Sequence, residues 1–177
     1  ITPRGGVFRG QSALVSTAAA DSDTSMARPP VYVSSVYQSV AMEIGGRAYP
    51  DSQMGAIALI RQTLSDADWV AANGESAAAS MQAGDVHALA ALGSGKAAAK
   101  DTVPLMFDTA DELEALRVAK IAQEFKRPYM VLGCGTEFAR LDAIATDLKA
   151  DKAALLLPVS FPKAPDVSSM EKAESVE

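Results

Sequence analysis

Three short apolar strands, separated by two amphipathic helices, recur between residues 103 and 160 at a spacing of about 25 residues. The pattern predicts strands near 104–108, 129–133 and 153–159, with one helix that follows Thr109 and a second at 136–149. Consecutive βα units of this kind are right-handed and build a parallel sheet whose two faces must both be covered. The repeat therefore predicts an α/β fold, and it suits both a (β/α)8 barrel and an open doubly wound sheet. Three strands alone cannot close a barrel, which needs eight.

The ends and faces of these two helices can also be predicted. The hydroxyl of Thr109 can cap the first helix, and Glu112, three residues later, can complete a capping box. The residues expected to form the two packing stripes are Val118, Ile121, Ala122 and Phe125 in the first helix, and Phe138, Leu141, Ile144 and Leu148 in the second.

The rest of the chain is less regular, and we treat residues 1–177 as a single domain. Residues 1–45 combine a Gly-rich loop with strand-forming segments, residues 50–72 contain the clearest helix, and residues 161–177 form an irregular tail. Residues 76–99 are rich in Ala and interrupted by Gly, which predicts one or two weak helices.

Charge and composition exclude several classes of partner. The formal net charge is −6, aromatic residues make up only 6% of the chain, and the Lys and Arg residues do not cluster. Such a surface suits neither a nucleic acid backbone nor an anionic membrane. The apolar runs are far shorter than the roughly 20 residues that a membrane-spanning helix needs. We therefore predict neither a nucleic acid nor a membrane as a partner.

The single cysteine, Cys134, excludes a disulfide bond within the chain. This is compatible with a reducing compartment and also with export, so the sequence leaves both the cytoplasm and the periplasm open. The chain starts at Ile1 without a leader of basic, apolar and small residues, and it ends in a charged stretch. We expect a processed or excised piece of a longer protein.

Four segments of the chain have a distinctive sequence. The longest is YPDSQMGAIALIRQT at 49–63, continued by DADW at 66–69, and the others are RGQSALV at 9–15, LRVAKIAQEF at 116–125 and PVSFPK at 158–163. These segments resemble bacterial proteins of the amidohydrolase superfamily, in the imidazolonepropionase-like branch. They occur in the same order and span most of the chain. The resemblance implies that the parallel βα units form a partial (β/α)8 barrel of TIM type, taken from the middle of the barrel.

The same resemblance implies a chemistry. Proteins of this superfamily typically hydrolyse amide and other C–N bonds of small-molecule substrates, and a divalent metal, here expected to be zinc, lowers the pKa of the attacking water. The His-x-His of the family's first strand and the Asp of its eighth are absent from these residues. The metal is therefore expected in a full-length parent, and for this piece we predict neither tight metal binding nor turnover. The remainder of the parent chain or a second copy would complete the barrel. The alternative is a degenerate, non-catalytic segment that acts as a scaffold or interaction domain.

The candidate site residues are Asp108, Cys134 and Arg61. In the resemblance, Asp108 and Cys134 stand at strand ends where the family carries metal-binding histidines, and we predict catalytic roles for both. The alternative for Asp108 is that its carboxylate only stabilises the positive end of a helix dipole. The alternative for Cys134 is that it is a small buried residue without a chemical role. Arg61, a cation among apolar neighbours, is the candidate for substrate binding, or else it pairs with a carboxylate. Glu137 is expected to lie in the first turn of its helix and to interact favourably with the helix dipole. His87, the only histidine, is expected to lie on a helix face.

Overall fold

A computed structural model describes residues 5–16, 31–44, 49–93 and 102–158 of the chain. These residues have an α/β fold with five strands and five α-helices. The strands are β1 (Phe8–Val15), β2 (Val31–Ala41), β3 (Leu105–Asp108), β4 (Tyr129–Leu132) and β5 (Ala154–Leu156). The helices are α1 (Gln53–Ala72), α2 (Gly74–Ser80), α3 (Ala83–Leu92), α4 (Glu112–Glu124) and α5 (Leu141–Asp151). The tail predicted at 161–177 lies outside the described residues.

The five strands form one sheet in the order β1-β2-β3-β4-β5. Strands β2 to β5 are parallel to one another, whereas β1 pairs with β2 in the antiparallel sense. The predicted parallel βαβαβ unit is therefore confirmed. Strand β1 lies within the strand-forming segments predicted at 1–45, but its antiparallel pairing with β2 was not predicted. Because the strand order follows the chain order, the described sheet lacks the reversal that creates the ligand-binding crevice of an open doubly wound sheet.

One face of the sheet packs against the helices. A row of neighbouring side chains on this face consists of Val40, Phe107, Val131 and Leu155. This row belongs to a single hydrophobic core that also contains buried residues of α1, α4 and α5. The alternation of side chains along each strand places the next row on the opposite face.

The opposite face becomes more exposed toward β5. The row there consists of Ala41, Asp108, Leu132 and Leu156. Ala41 on β2 is 4% exposed, whereas Leu156 on the edge strand β5 is 51% exposed. An apolar parallel sheet normally has both faces covered, so this face is the unusual one.

Helix α1 forms as its spacing of apolar residues predicts. Its N-cap is Ser52, whose hydroxyl oxygen accepts a hydrogen bond from the amide of Gly55 at 3.1 Å. Ile60, Leu64 and Ala67 are buried at the predicted spacing, which anchors the helix to the core. The cap satisfies one of the amides that a helix start leaves unpaired.

The start of α4 differs from its prediction. The N-cap is Asp111, whose carboxylate accepts from the amide of Glu114 at 2.7 Å, while the Glu114 carboxylate accepts from the amide of Ala110 at 2.8 Å. The predicted cap at Thr109 is wrong, because the Thr109 hydroxyl instead donates to the carbonyl of Leu132 on β4 at 3.0 Å. A contact between neighbouring strands therefore decided which of two nearby side-chain oxygens caps the helix.

The second predicted helix begins with a 3-10 turn, Glu137–Arg140, and becomes α5 only at Leu141. Ile144 and Leu148 are buried as predicted, but Phe138 and Leu141 are exposed. Phe138 lies in the 3-10 turn, which has about three residues per turn, so it leaves the stripe that α5 continues. Leu141 is the first residue of α5, and the turn does not explain its exposure. The predicted burial of Phe138 and Leu141 is therefore wrong.

The Ala-rich stretch contains two short helices, α2 and α3, where one or two weak helices were predicted. In the described part of the chain, no helix combines the length and the apolarity that crossing a membrane requires.

Candidate functional site

The candidate site lies at the carboxyl edge of the parallel strands, where Asp108 ends β3. Its carboxylate pairs with the guanidinium of Arg9, which reaches it from β1 across the intervening strand β2. The carboxyl ends of parallel strands are the usual place for binding and chemistry in α/β proteins. The ion pair between Arg9 and Asp108 is therefore the first feature of this site.

Arg9 is held by three groups at once. Besides pairing with Asp108, its Nη2 donates to the carboxylate of Glu43 at 3.0 Å and its Nε donates to the carbonyl of Gly6 at 3.2 Å. Only 10% of the Arg9 side chain is exposed. Burial by itself lowers the pKa of Arg9, but the hydrogen bonds to Asp108 and Glu43 raise it above its ordinary value. The guanidinium therefore stays charged, and it donates from all three of its nitrogens to protein acceptors.

A cavity of about 170 Å³ opens beside this pair. The described residues that line it are Arg9, Ala41, Met42, Glu43, Asp108, Thr109, Ala110 and Glu114. Ligand pockets usually have volumes of about 300–1,000 Å³, so this cavity suits water or a ligand of a few heavy atoms.

Glu114 has the most buried carboxylate of this cavity, and that carboxylate has a structural role. Glu114 is buried, and one of its oxygens accepts from the amide of Ala110 at the start of α4. Its other oxygen accepts from the side-chain amide of Gln53 on α1 at 2.9 Å. Glu114 therefore ties two helices together, which accounts for its burial without a catalytic role.

Cys134 lies in the turn that follows β4, and its thiol is hydrogen bonded. Its Sγ is 3.0 Å from the hydroxyl oxygen of Thr136, and that hydroxyl donates to the carboxylate of Glu112 at 3.0 Å. The three side chains therefore form a chain of hydrogen bonds from Cys134 through Thr136 to Glu112.

The turn around Cys134 is organised by the buried carboxylate of Glu137. Its Oε1 accepts from the amide of Cys134 at 2.6 Å, and its Oε2 accepts from the amide of Gly135 at 2.8 Å. A side chain at position 133 would collide with this carboxylate, which explains the glycine there. Glu137 does begin a helical turn, as expected, but the partners of its carboxylate are the amides of the preceding turn.

Replacing Glu137 with Ala is expected to lower the free energy of unfolding by about 2–3 kcal/mol, because two amides lose a charged acceptor. Urea denaturation followed by circular dichroism measures the change. Glu112→Ala is the control: its carboxylate accepts a hydrogen bond from the side chain of Thr136 alone among the described residues, and the variant should cost about 1 kcal/mol or less. Equal losses in the two variants would contradict the role given to Glu137.

The structure brings Asp108 and Cys134 to the same edge of the sheet and places Arg61 elsewhere. Asp108 lies beside Leu132 on the parallel strand β4, and Cys134 follows two residues later. Arg61 on α1 pairs with Glu124, the last residue of α4, at 2.6 Å. Because α4 runs back from the carboxyl edge toward the start of β4, this pair lies toward the amino ends of the strands. Substrate binding by Arg61 stays a prediction, as do the catalytic roles of Asp108 and Cys134.

Sequence reasoning missed Arg9 as a site residue. The sequence feature that could have indicated Arg9 is a single positive charge near the start of an otherwise uncharged strand. Its partner Asp108 lies 99 positions away in the chain. No local pattern could have named that partner. His87 is exposed on α3, on a helix face as expected.

Two features bear on metal binding. Among the described residues, no group of three or more His, Cys, Asp and Glu side chains is arranged to hold a metal ion. Asp108 is engaged by Arg9 and Cys134 by Thr136, so these two residues do not fit a metal-binding pair.

The geometry defines an α/β protein with a mostly parallel sheet and an ion-paired carboxyl edge. Comparisons with protein-family models, with curated proteins and with solved structures found no match to this chain.

Proposed function

We propose that this chain is a framework segment of a (β/α)8 barrel of amidohydrolase type, and that its own strand ends position the barrel wall without performing chemistry. Two features support the barrel. The strands follow one another across the sheet in chain order, whereas an open doubly wound sheet reverses its order. The core helices pack on one face of the sheet, as the outer helices of a barrel do.

The observation that carries the framework role is the ion pair between Arg9 and Asp108. A catalytic base or metal ligand at this strand end needs free lone pairs directed at the reacting group. Arg9 instead holds one oxygen of the Asp108 carboxylate, Oδ2, through Nη1, while its Nη2 and Nε bind Glu43 and Gly6. The pair links β1, β3 and the segment after β2, which is a structural task.

The partner of this segment is the remainder of a parent chain or a second copy, which would complete the barrel. The exposed part of the face opposite the helices supports this partner. Leu156 and Leu157 are both more than half exposed at the β5 edge. Apolar side chains on a parallel sheet are normally buried, and an open strand edge invites a further strand.

A second candidate function is hydrolysis of C–N bonds in small molecules by the complete protein. The carboxylate-lined cavity at the carboxyl edge favours it, because this is where a barrel enzyme places its substrate. A divalent metal, zinc by expectation, would activate the attacking water in such an enzyme. Asp108 and Cys134 do not fit as its ligands, so residues elsewhere would have to hold the metal.

The two candidates differ in their response to zinc. The full-length protein and its Asp108→Asn and Cys134→Ser variants would be purified from zinc-supplemented cultures and analysed by mass spectrometry of the metal. If these residues are framework, we expect both variants to keep the zinc content of the wild type. Glu43→Gln, which removes only the second carboxylate partner of Arg9, is the matched control.

Loss of zinc in either variant, with the fold retained by circular dichroism, would overturn the framework role. Removing residues that only support a ligand costs about 10–100-fold in metal affinity, so a ligand should cost at least that much. Stoichiometric zinc in the wild type, together with hydrolysis of a cyclic amide such as dihydrouracil, would favour the hydrolase. Zinc-free wild-type protein without this activity would favour the scaffold.

A further inference from the structure

A second cavity, with a volume of about 500 Å³, lies between the β1–β2 pair and helices α1 and α3. Phe8 and Gly10 of its lining flank Arg9 on β1, and Gln38 is paired with Leu105, the first residue of β3. The two cavities have no lining residue in common.

The lining of this second cavity is apolar and uncharged. None of its nine described lining residues is ionisable. The apolar part is formed mainly by Phe8, Ala88, Leu89 and Leu92. A charged ligand would have to give up its hydration here without an opposite charge, which is costly. The lining therefore favours an uncharged ligand.

One buried polar group faces the cavity. Gln38 is 7% exposed, and its Nε2 donates to the carbonyl of Ser39 at 3.3 Å. Within the described residues, its Oε1 accepts no hydrogen bond. The described buried side-chain atoms without any partner are Ser39 Oγ and Arg127 Nε, and Gln38 Oε1 is not one of them, because solvent reaches it through the cavity. A ligand with one N–H or O–H group would replace that solvent as the donor to Oε1.

We propose that this cavity binds an uncharged, mainly apolar small molecule that carries one amide or hydroxyl group, whose N–H or O–H donates a hydrogen bond to Oε1 of Gln38. The volume falls within the range of about 300–1,000 Å³ that is usual for small-molecule sites. The combination of apolar walls and a single buried polar group is also usual for such sites. This site is independent of the carboxyl edge and of the function proposed for it.

The test is a titration of the whole chain with the uncharged fluorescent probe N-phenyl-1-naphthylamine. We expect saturable binding that decanamide displaces and that decanoate and decylamine displace at least about 10 times more weakly, because burying an unpaired charge is costly. Gln38→Leu should weaken displacement by decanamide about 3–10-fold, the value of one hydrogen bond, and leave the probe bound.

A pair of tryptophan variants on α3 locates the site. Ala88→Trp fills the cavity and should weaken probe binding at least about 10-fold, whereas Ala90→Trp, exposed on the same helix and not part of the lining, should not. The proposal is overturned if the wild type does not bind the probe, if the two tryptophan variants behave alike, or if decanoate displaces as well as decanamide. It is also overturned if Ala88→Trp converts a dimer to a monomer in size-exclusion chromatography, because a second copy would then fill the cavity.

Discussion

Replacing Arg127 with Met is expected to lower the free energy of unfolding by about 3–5 kcal/mol, the usual cost of removing one member of a buried ion pair. The Arg127 side chain is fully buried. It donates to the carbonyls of Leu92 at 2.8 Å and Gly93 at 2.7 Å, and to the Asp68 carboxylate at 3.1 Å. Burial lowers the pKa of Arg127, while the charge of Asp68 opposes that change.

The physical reason for the large effect is that one side chain joins three elements. Arg127 precedes β4, Asp68 belongs to α1, and Leu92 and Gly93 end α3. The last carbonyls of a helix have no partner within the helix, so Arg127 supplies donors to the carbonyls of Leu92 and Gly93, in addition to the bond from the Gly93 amide to Ala90. Met fills much of the same volume but cannot donate, so the variant isolates the polar contribution.

Arg61→Met is the matched control for Arg127→Met. Arg61 also pairs with a carboxylate, that of Glu124, but the two side chains are 53% and 44% exposed. Exposed pairs contribute about 0–1 kcal/mol, so this variant should unfold close to the wild type. Guanidinium denaturation followed by tryptophan fluorescence measures both variants. Similar losses in the two would show that Arg127 does not hold α3 as described.

Replacing Phe107 with Ala should also cost about 3–5 kcal/mol, the range for truncating a buried aromatic residue. Phe107 is fully buried at the centre of β3 and belongs to the core between the sheet and the helices. Its ring meets that of Tyr129 edge to face, with centroids 6.5 Å apart. The variant removes this contact and leaves a cavity that the surrounding strands and helices cannot fill without moving.

Phe138→Ala is the control for Phe107→Ala, because Phe138 is 66% exposed. An exposed aromatic residue away from any packing contact should change stability by about 0.5 kcal/mol or less. Differential scanning calorimetry of the two variants gives the comparison. A large loss of stability in Phe138→Ala would contradict the exposure of Phe138. It would show that this residue packs on the core, as its spacing predicted.

Much of the fold follows from local patterns in the sequence. The apolar spacing of Ile60, Leu64 and Ala67 predicts α1 and the face that it buries. The strands near residues 104, 129 and 154 are predicted from short apolar runs between helices, and their parallel arrangement follows from the crossover connections. Local patterns suffice here because helix and strand periodicity, capping and crossover handedness are properties of neighbouring residues.

The candidate site could be predicted only in part. The sequence placed Asp108 and Cys134 at the ends of adjacent parallel strands, and the structure has them at one edge of the sheet. It could not predict that Arg9 engages Asp108, because the antiparallel pairing of β1 with β2 brings them together from distant positions. Nor could it predict the buried partners of Glu137, since these depend on the turn geometry after β4.

By itself, the sequence determined the α/β class, the parallel βαβαβ unit and most of its buried stripes, because each depends on the spacing of residues a few positions apart. The tertiary structure alone decided which charged side chains are paired with other groups of the protein. Arg9 neutralises Asp108, and Arg127 binds the end of α3, through contacts between segments that are 99 and about 35 positions apart. Whether a carboxylate is free to do chemistry depends on such contacts, because the free energy of a buried charge is set by the groups that surround it in space.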